Sequence, residues 1–265
     1  MPDVHLQRDG AVARLLIDHA ARRNAFTRAM WRAVPALVGQ ALARPGVRAL
    51  VVQGAEPGCF AAGADISEFA ATYATREESL RANREIQQAI DALAGCPLPT
   101  VALIDGPCVG GGVALALGCD FRLASERSTF AVTPARLGLS YHPSDVARLA
   151  RACGRARASE LLFSGLPWDA RRACEAGLVN HVLPTAGFLA AAQATVDAIC
   201  ANSVDAIAAL KRSLDALERA DDQGIGHARD EFEASFASPD FIEGRDAFLA
   251  RRAARFPSHG PEGRP

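Results

Sequence analysis

The sequence predicts an α/β fold followed by a C-terminal helical region. Short apolar runs that are typical of buried strands alternate with stretches of helical periodicity over the first part of the chain. After about residue 200 the strand signal ends, and three helical stretches follow at 203–219, 227–237 and 239–252. We therefore divide the 265 residues into an α/β core, 1–200, and a helical oligomerisation region, 201–265. Residues 257–265 are rich in proline and glycine and are expected to fray.

Two apolar runs give the clearest strand signals. Residues 49–53 read Ala-Leu-Val-Val-Gln and end at Gly54, and residues 100–104 read Thr-Val-Ala-Leu-Ile. Runs of this length between turn residues are typical of strands that are buried on both faces. Further strands are predicted near Val12 and at 121–124.

Helical periodicity marks two long stretches in the same region. Thr27 caps the first, which has apolar residues every three or four positions and contains Pro35. Proline inside a helix removes a backbone donor, so we expect a kink or a break there. The second stretch is an amphipathic helix over residues 76–94.

Composition and charge exclude several classes of protein. A formal net charge of −1 gives no basic footprint for nucleic acid, and 49% apolar with 22% charged residues is typical of a globular chain. No signal peptide and no membrane span are expected, because the longest apolar run is 113–117. The seven cysteines are scattered without a CxxC pair, which favours reduced thiols, a cytoplasmic location and no metal site.

Two segments of small residues indicate a ligand site. They are FAAGADI at 60–66 and IDGPCVGGGVAL at 104–115. The glycines at 110–112 separate a predicted strand from an apolar helix, where free N–H groups and the helix dipole favour an anion. The alternative is a tight turn with close packing. A phosphate loop is disfavoured, since GxxxxGK[ST] is absent.

Together these segments resemble the crotonase (enoyl-CoA hydratase/isomerase) superfamily. FAAGADI, IDGPCVGGG and CDFRLA at 119–124 match its two signature regions in order and spacing. Further matches lie at 23–26, 161–165, 176–180 and 248–249, so the resemblance spans nearly the whole chain. It implies a spiral of ββα units with a helical trimerisation region, assembled as a trimer or a dimer of trimers. It also implies an acyl-CoA thioester substrate and no separate cofactor.

The resemblance implies roles for particular residues. By position, the backbone N–H groups of Ala64 and Gly111 form an oxyanion hole, in which two preorganised donors stabilise a thioester enolate. It places three residues along the CoA channel, Ala62, Asp65 and Ile66. Arg23 is a candidate for phosphate contacts. Arg251 or Arg252 occupies the place of a C-terminal cation near the CoA nucleotide, unless it only forms part of a solvated helix face.

The sequence departs from the hydratases at their two catalytic glutamates. One position is Ala114, on the helix after the glycines, and the other is Pro134. Neither side chain can transfer a proton, so hydration or isomerisation by the usual route is not expected.

Residues 133–141 resemble the methylmalonyl-CoA decarboxylase branch, in which a T-P-x-x-L-G-x-x-Y run occurs. Loss of CO₂ generates an enolate without a base, and Tyr141 would donate a hydrogen bond to the departing carboxylate. Thr133 would line the same pocket. The branch has a histidine where this chain has Ala64.

His142 is a second candidate for the chemistry. Other branches place an aspartate near this position, and a histidine there can act as a base or a donor, oriented by Asp145. The alternative is that 142–145 only form the cap of the next helix. Three functions therefore remain open: decarboxylation of a malonyl-type thioester, hydration or isomerisation through His142, and acyl-CoA binding without catalysis.

Overall fold

The structure, a computed structural model, describes residues 3–256; the tail predicted to fray lies outside the described residues. The strands are β1 (Asp3–Asp9), β2 (Val12–Asp18), β3 (Ala49–Gly54), β4 (Thr100–Ile104), β5 (Pro107–Val109), β6 (Phe121–Ser125), β7 (Thr129–Ala131), β8 (Trp168–Asp169) and β9 (His181–Leu183). The helices are α1 (Arg28–Leu42), α2 (Phe69–Thr72), α3 (Arg76–Ala94), α4 (Gly111–Leu117), α5 (Pro143–Ser164), α6 (Ala170–Glu175), α7 (Phe188–Cys200), α8 (Val204–Arg219), α9 (Asp222–Ser235) and α10 (Pro239–Leu249).

The strands form two sheets. The larger has six strands in the order β1-β2-β3-β4-β6-β9, and the smaller has three in the order β5-β7-β8. In the larger sheet β1 pairs antiparallel with β2, and all the later pairs are parallel. β4 belongs to one sheet and β5 to the other, so the turn between them connects the two sheets. The glycine run follows directly after β5.

The large sheet is buried on both faces. Alternate residues of β3 show this: Leu50 and Val52 join the main core, whereas Ala49 and Val51 pack in a second core with Phe188 of α7. The main core contains apolar residues of α1, α3, α4 and α5. This explains why the strands read as continuous apolar runs.

The strong strand and helix predictions are confirmed, with one correction. The runs at 49–53 and 100–104 are β3 and β4, and the amphipathic stretch 76–94 is α3. Of the kink or break expected at Pro35, the break does not occur, because α1 continues from Arg28 to Leu42. Its buried face of Met30, Val34, Val38 and Ala41 packs against the core, and this burial outweighs the lost backbone bond.

The last third of the described chain is helical. Helices α8, α9 and α10 follow α7, and residues 184–256 contain no strand. Helix α9 begins at Asp222, earlier than the predicted 227, because Asp221 caps it by accepting from Gly224 N at 3.1 Å. No helix of the described chain is long and apolar enough to cross a bilayer. The role of this region in oligomerisation stays a prediction.

Asp105 holds the turn between the two sheets. Its carboxylate accepts from Gly58 N at 3.0 Å, Ser125 Oγ at 2.7 Å and Arg127 Nε at 2.7 Å. Burial alone raises the pKa of Asp105, but these hydrogen bonds and the Arg127 charge outweigh it and lower the pKa below its usual value. The ionised carboxylate therefore joins β4, β6 and the loop after β3.

Asp105→Asn is expected to destabilise the protein at pH 7 by about 1.5–3 kcal/mol, the usual contribution of charge-assisted hydrogen bonds. Because the folded-state pKa is depressed, this stabilisation is present above the unfolded pKa of about 3.9 and is lost as the pH falls through the folded value. Urea unfolding of both proteins at pH 7 and at pH 3 measures the difference. An equal difference at both pH values would show that ionised Asp105 is not the stabilising group.

Candidate active site

One cavity brings the two small-residue segments together. It has a volume of about 250 Å³ and lies among the loop after β3, the start of α4, helix α3 and the segment before α5. Larger cavities of about 580 and 690 Å³ lie against the C-terminal helices. The smaller cavity is the candidate site, since the residues singled out from the sequence converge on it.

The amide of Ala64 is free because of the pairing of its neighbours. Phe26 N donates to Gly63 O at 2.7 Å, and Asp65 N donates to Phe26 O at 2.8 Å. In this parallel bridge the N–H of Ala64 points away from Phe26. It has no hydrogen-bond partner within residues 3–256, and Ala64 lines the cavity.

The amide of Gly111 is free because Gly111 is the first residue of α4. The preceding residue is fixed, since Gly110 N donates to Ala131 O at 2.8 Å and Gly110 has a φ of 52°. Gly111 N has no partner in the described part of the chain and lines the same cavity. Two unpaired N–H groups thus border one cavity.

Glycine permits the close approach of the two segments. A methyl group on Gly63, whose φ is +97°, would lie 3.0 Å from Val109 O and 3.7 Å from Gly111 N. A methyl group on Gly112 would lie 2.5 Å from Ala61 O. Both interpretations of the glycine run therefore apply: Gly112 is needed for close packing, and Gly111 presents a free amide.

The cavity wall is uncharged at the two positions that the resemblance aligned with the hydratase glutamates. Ala114 and Pro134 both line it. Asp145 is the one carboxylate among the described lining residues, and no lysine or arginine is among them. The polar side chains on the wall include Thr133, Tyr141 and His142.

The hydroxyl group of Tyr141 donates its hydrogen bond to an acceptor within the protein. Its hydroxyl donates to Gly110 O at 2.9 Å. Burial, with the nearby Asp145 carboxylate, holds the pKa of Tyr141 well above its usual value, so the phenol stays neutral. Tyr141 therefore fixes the carbonyl next to Gly111, and its predicted role as a donor to substrate competes with this bond.

His142 lies at the cavity and at the N-terminus of α5. Its Nδ1 is 2.8 Å from Ser144 Oγ and 3.4 Å from Ser144 N, and Pro143 occupies the first helical turn. His142 is thus at the N-cap position, as the alternative interpretation expected, and its Nε2 has no hydrogen-bond partner among residues 3–256.

Asp145 is buried, and the sequence analysis gave it only a supporting role. It accepts from Gln87 Nε2 at 3.0 Å and from Arg148 Nη1 at 3.1 Å. Burial raises the pKa of Asp145, while Gln87 and Arg148 oppose the rise. Asp145 does not contact the His142 ring directly; Ser144 and Gln87 lie between them.

The predicted CoA-channel residues have different positions. Ala62, Ile66 and Thr133 line the cavity, and the Ile66 side chain is 73% exposed. The Asp65 carboxylate does not line it but accepts from Ser67 N at 2.9 Å. Burial raises the pKa of Asp65, and the Ser67 hydrogen bonds outweigh it and hold the pKa below its usual value.

The arginines predicted to contact phosphates, namely Arg23 and either Arg251 or Arg252, are not among the residues that line the cavity. Arg23 is exposed, and its carbonyl accepts from Ala62 N at 3.0 Å. Arg252 pairs with Glu243 at 2.6 Å, whereas Arg251 makes no ion pair in the described part of the chain. Of the two C-terminal candidates, Arg251 is therefore the one whose charge is available. Contact of these residues with CoA stays a prediction.

Trp31 and Gln87 line the cavity and were missed in the sequence. Trp31 is 2% exposed, stacks on Phe26 at 4.2 Å, and its Nε1 has no partner in residues 3–256. Trp31 directly follows Met30 in α1. Examining the positions next to the predicted apolar face of this helix would therefore have identified it. Gln87 lies on the polar side of α3. Its role becomes apparent only from its hydrogen bond to Asp145 of α5.

Titration of the phenols tests the environment of Tyr141. The chain has two tyrosines, and burial raises the pKa of Tyr73 as well. We expect absorbance at 295 nm to show neither phenol ionising with the usual midpoint near pH 10. Tyr73→Phe isolates the Tyr141 signal, and circular dichroism at each pH identifies unfolding. A midpoint at or below 10 in folded Tyr73→Phe protein would contradict the buried Tyr141–Gly110 bond.

Comparisons with known proteins show the family to which the chain belongs. The family model described as enoyl-CoA hydratase/isomerase matches residues 7–259. A Mycobacterium tuberculosis protein named "probable enoyl-CoA hydratase echA8" is 31% identical over 95% of this chain and 96% of its own. The mitochondrial methylglutaconyl-CoA hydratase of Mus musculus is 32% identical over 68% of this chain and 57% of its own.

Solved structures show the same fold. A protein of the enoyl-CoA hydratase/isomerase family from Hyphomonas neptunium has a TM-score of 0.94 at 37% identity, covering 98% of both chains. An enoyl-CoA hydratase from Bacillus anthracis has a TM-score of 0.90 at 26% identity, covering 97% of this chain and 99% of its own. The chain has the crotonase fold and belongs to the enoyl-CoA hydratase/isomerase family.

Proposed function

We propose that the protein decarboxylates a malonyl-type acyl-CoA thioester by way of an enolate. The bond between the α-carbon and the carboxylate breaks, and CO₂ leaves. The bonding electron pair becomes the enolate, whose oxygen lies at the amides of Ala64 and Gly111. A proton then adds to the α-carbon and gives the shortened acyl-CoA.

The observation that carries this proposal is the uncharged wall formed by Ala114 and Pro134 in the same cavity as the two free amides. Proton abstraction and water addition need an acid or a base at the α,β bond, whereas loss of CO₂ needs neither to form the enolate. The family's usual carboxylates are therefore missing from a site that keeps its anion-stabilising donors.

The charge distribution around the cavity favours the same step. No lysine or arginine is among the described lining residues, so no permanently cationic side chain stabilises a substrate carboxylate in the ground state. During decarboxylation the negative charge moves from the carboxylate to the thioester oxygen, where two N–H donors are preorganised. Stabilisation that is stronger in the transition state than in the ground state is what raises the rate.

Thr133 is the side chain we propose for orienting the carboxylate. It lines the cavity, and its side chain makes no cap hydrogen bond to the helical turn that follows it. Tyr141, by contrast, donates to Gly110 O at 2.9 Å. Its role in this proposal is to position the Gly110–Gly111 peptide.

A second candidate is proton transfer by His142, as in hydration or isomerisation. The observation that favours it is the unpaired Nε2 of a histidine on the cavity wall. The names of the similar proteins also favour hydration. Against it, hydration needs an acid and a base at the α,β bond, and Ala114 and Pro134 supply neither.

Mass-resolved consumption of malonyl-, methylmalonyl- and crotonyl-CoA by the full-length protein tests the proposal. We expect CO₂ release with acetyl- or propionyl-CoA as the product and little hydration of crotonyl-CoA. Rapid hydration of crotonyl-CoA would overturn the argument from Ala114 and Pro134. Tight binding of all three thioesters without consumption would indicate a binding protein.

Two variants of one residue serve as the matched pair in this assay. Proline is tolerated at the first position of a helix and removes the N–H of Gly111. We expect Gly111→Pro to lower kcat/KM by about 10²–10³-fold, as for loss of one oxyanion donor. Gly111→Ala adds the same contact with Trp31, where a methyl group would lie 3.0 Å from Cζ2, but keeps the N–H and should lose far less.

A further inference from the structure

Two side chains connect the cavity histidine to a buried carboxylate. His142 Nδ1 is 2.8 Å from Ser144 Oγ, and Ser144 Oγ is 2.8 Å from Gln87 Oε1. Gln87 Nε2 is 3.0 Å from Asp145 Oδ2. We name His142, Ser144, Gln87 and Asp145 the relay. It joins the start of α5 to the middle of α3.

The hydrogen bonds of the relay have a defined donor-to-acceptor direction, which the buried carboxylate of Asp145 determines. Arg148 Nη1 donates to the other carboxylate oxygen of Asp145 at 3.1 Å, which favours the ionised, accepting form. An ionised carboxylate only accepts, so the Gln87 amide group donates to it. The carbonyl oxygen of Gln87 therefore faces Ser144.

The orientation of the Gln87 amide determines which atom donates between Ser144 and His142. An amide oxygen only accepts, so the Ser144 hydroxyl donates its one hydrogen to Gln87 Oε1. Toward His142 the Ser144 oxygen can then only accept. The hydrogen between them must belong to Nδ1 of the ring.

A competing contact between Ser144 N and His142 Nδ1 is too long to change the assignment of the ring hydrogen to Nδ1. Ser144 N lies 3.4 Å from His142 Nδ1 and would require Nδ1 to accept. The contact with Ser144 Oγ is 0.6 Å shorter than this 3.4 Å contact, at 2.8 Å. Hydrogen bonds weaken at such lengths, so the shorter contact decides where the ring proton lies.

We infer that the relay keeps a hydrogen on Nδ1 of His142, which makes Nε2 the atom that delivers a proton to the α-carbon of the enolate. The imidazolium loses its Nε2 hydrogen to the α-carbon, a C–H bond forms, and the neutral ring keeps Nδ1–H. Solvent water reprotonates Nε2, since His142 is exposed. Ser144, Gln87 and Asp145 are positioning residues. The catalytic part of this inference rests on the proposed enolate chemistry.

Two-bond ¹H–¹⁵N correlation spectra of the [¹⁵N]histidine-labelled full-length protein read the ring proton directly, without substrate. The chain has six histidines, and subtraction of the His142→Gln spectrum assigns the signal. In the neutral ring we expect the Nδ1–H form. Ser144→Ala should remove this preference, Ser144→Thr should restore it, and Ser79→Ala should leave it unchanged. Ser79 lies on the same helix as Gln87, but its hydroxyl donates to Thr75 O at 2.8 Å.

Steady-state decarboxylation of methylmalonyl-CoA gives the second readout. We expect Ser144→Ala to lower kcat by about 10–100-fold, as for loss of an outer-shell orienting partner, with KM nearly constant. Ser144→Thr should recover most of the rate, which a purely structural role of Ser144 at the helix cap does not predict.

The outcomes separate this inference from the proposed function. An Nε2–H ring in the wild-type protein would overturn the relay even if the protein decarboxylates. An Nδ1–H ring combined with a normal kcat in Ser144→Ala would overturn the role of the relay in proton delivery. A protein that consumes none of the thioesters would refute the enolate chemistry, while the spectra would still test the ring proton.

Discussion

The site depends on the close approach of two backbone segments. Residues 61–64 and 109–112 meet at distances that no side chain at Gly63 or Gly112 would permit, since added methyl groups would lie 3.0 Å and 2.5 Å from carbonyl oxygens. The approach leaves the amides of Ala64 and Gly111 on one cavity without protein acceptors. Both residues are partly exposed at the cavity, so a ligand oxygen that enters it can accept from the two N–H groups.

The rest of the fold keeps these segments in place. Asp105 binds the loop after β3, Ala131 O fixes Gly110, and the Tyr141 hydroxyl holds the Gly110 carbonyl. Each bond reaches the site from a different part of the sequence. These bonds hold the loop after β3 and the Gly110–Gly111 segment without involving the side chains of Ala114 and Pro134, which also line the cavity.

The sequence predicted the features that depend on local pattern. The buried strands β3 and β4 and the helix α3 follow from apolar runs and helical spacing. The family resemblance singled out the amides of Ala64 and Gly111, which have no hydrogen-bond partner among residues 3–256. The break expected at Pro35 did not occur, because burial of one face of α1 outweighs one lost hydrogen bond. Local propensity is the weaker influence wherever a helix packs on a core.

Features that depend on contacts between distant residues were not predictable. The bond from Tyr141 to Gly110 spans 31 positions, and Gln87 lies 58 positions from Asp145. The short spacing of His142 and Asp145 suggested direct contact, yet Ser144 and a residue of another helix lie between them. Helical spacing gives the face on which a side chain lies, but not its partner across the cavity.

The central claim is that the amides of Ala64 and Gly111 polarise a thioester carbonyl. Infrared difference spectra of bound [1-¹³C]propionyl-CoA measure this directly, whichever reaction the protein catalyses. The account predicts that the carbonyl stretch moves to lower frequency on binding to the wild-type protein and to Gly111→Ala, and much less on binding to Gly111→Pro. An unshifted stretch in the wild-type protein, or a full shift in Gly111→Pro, would contradict it.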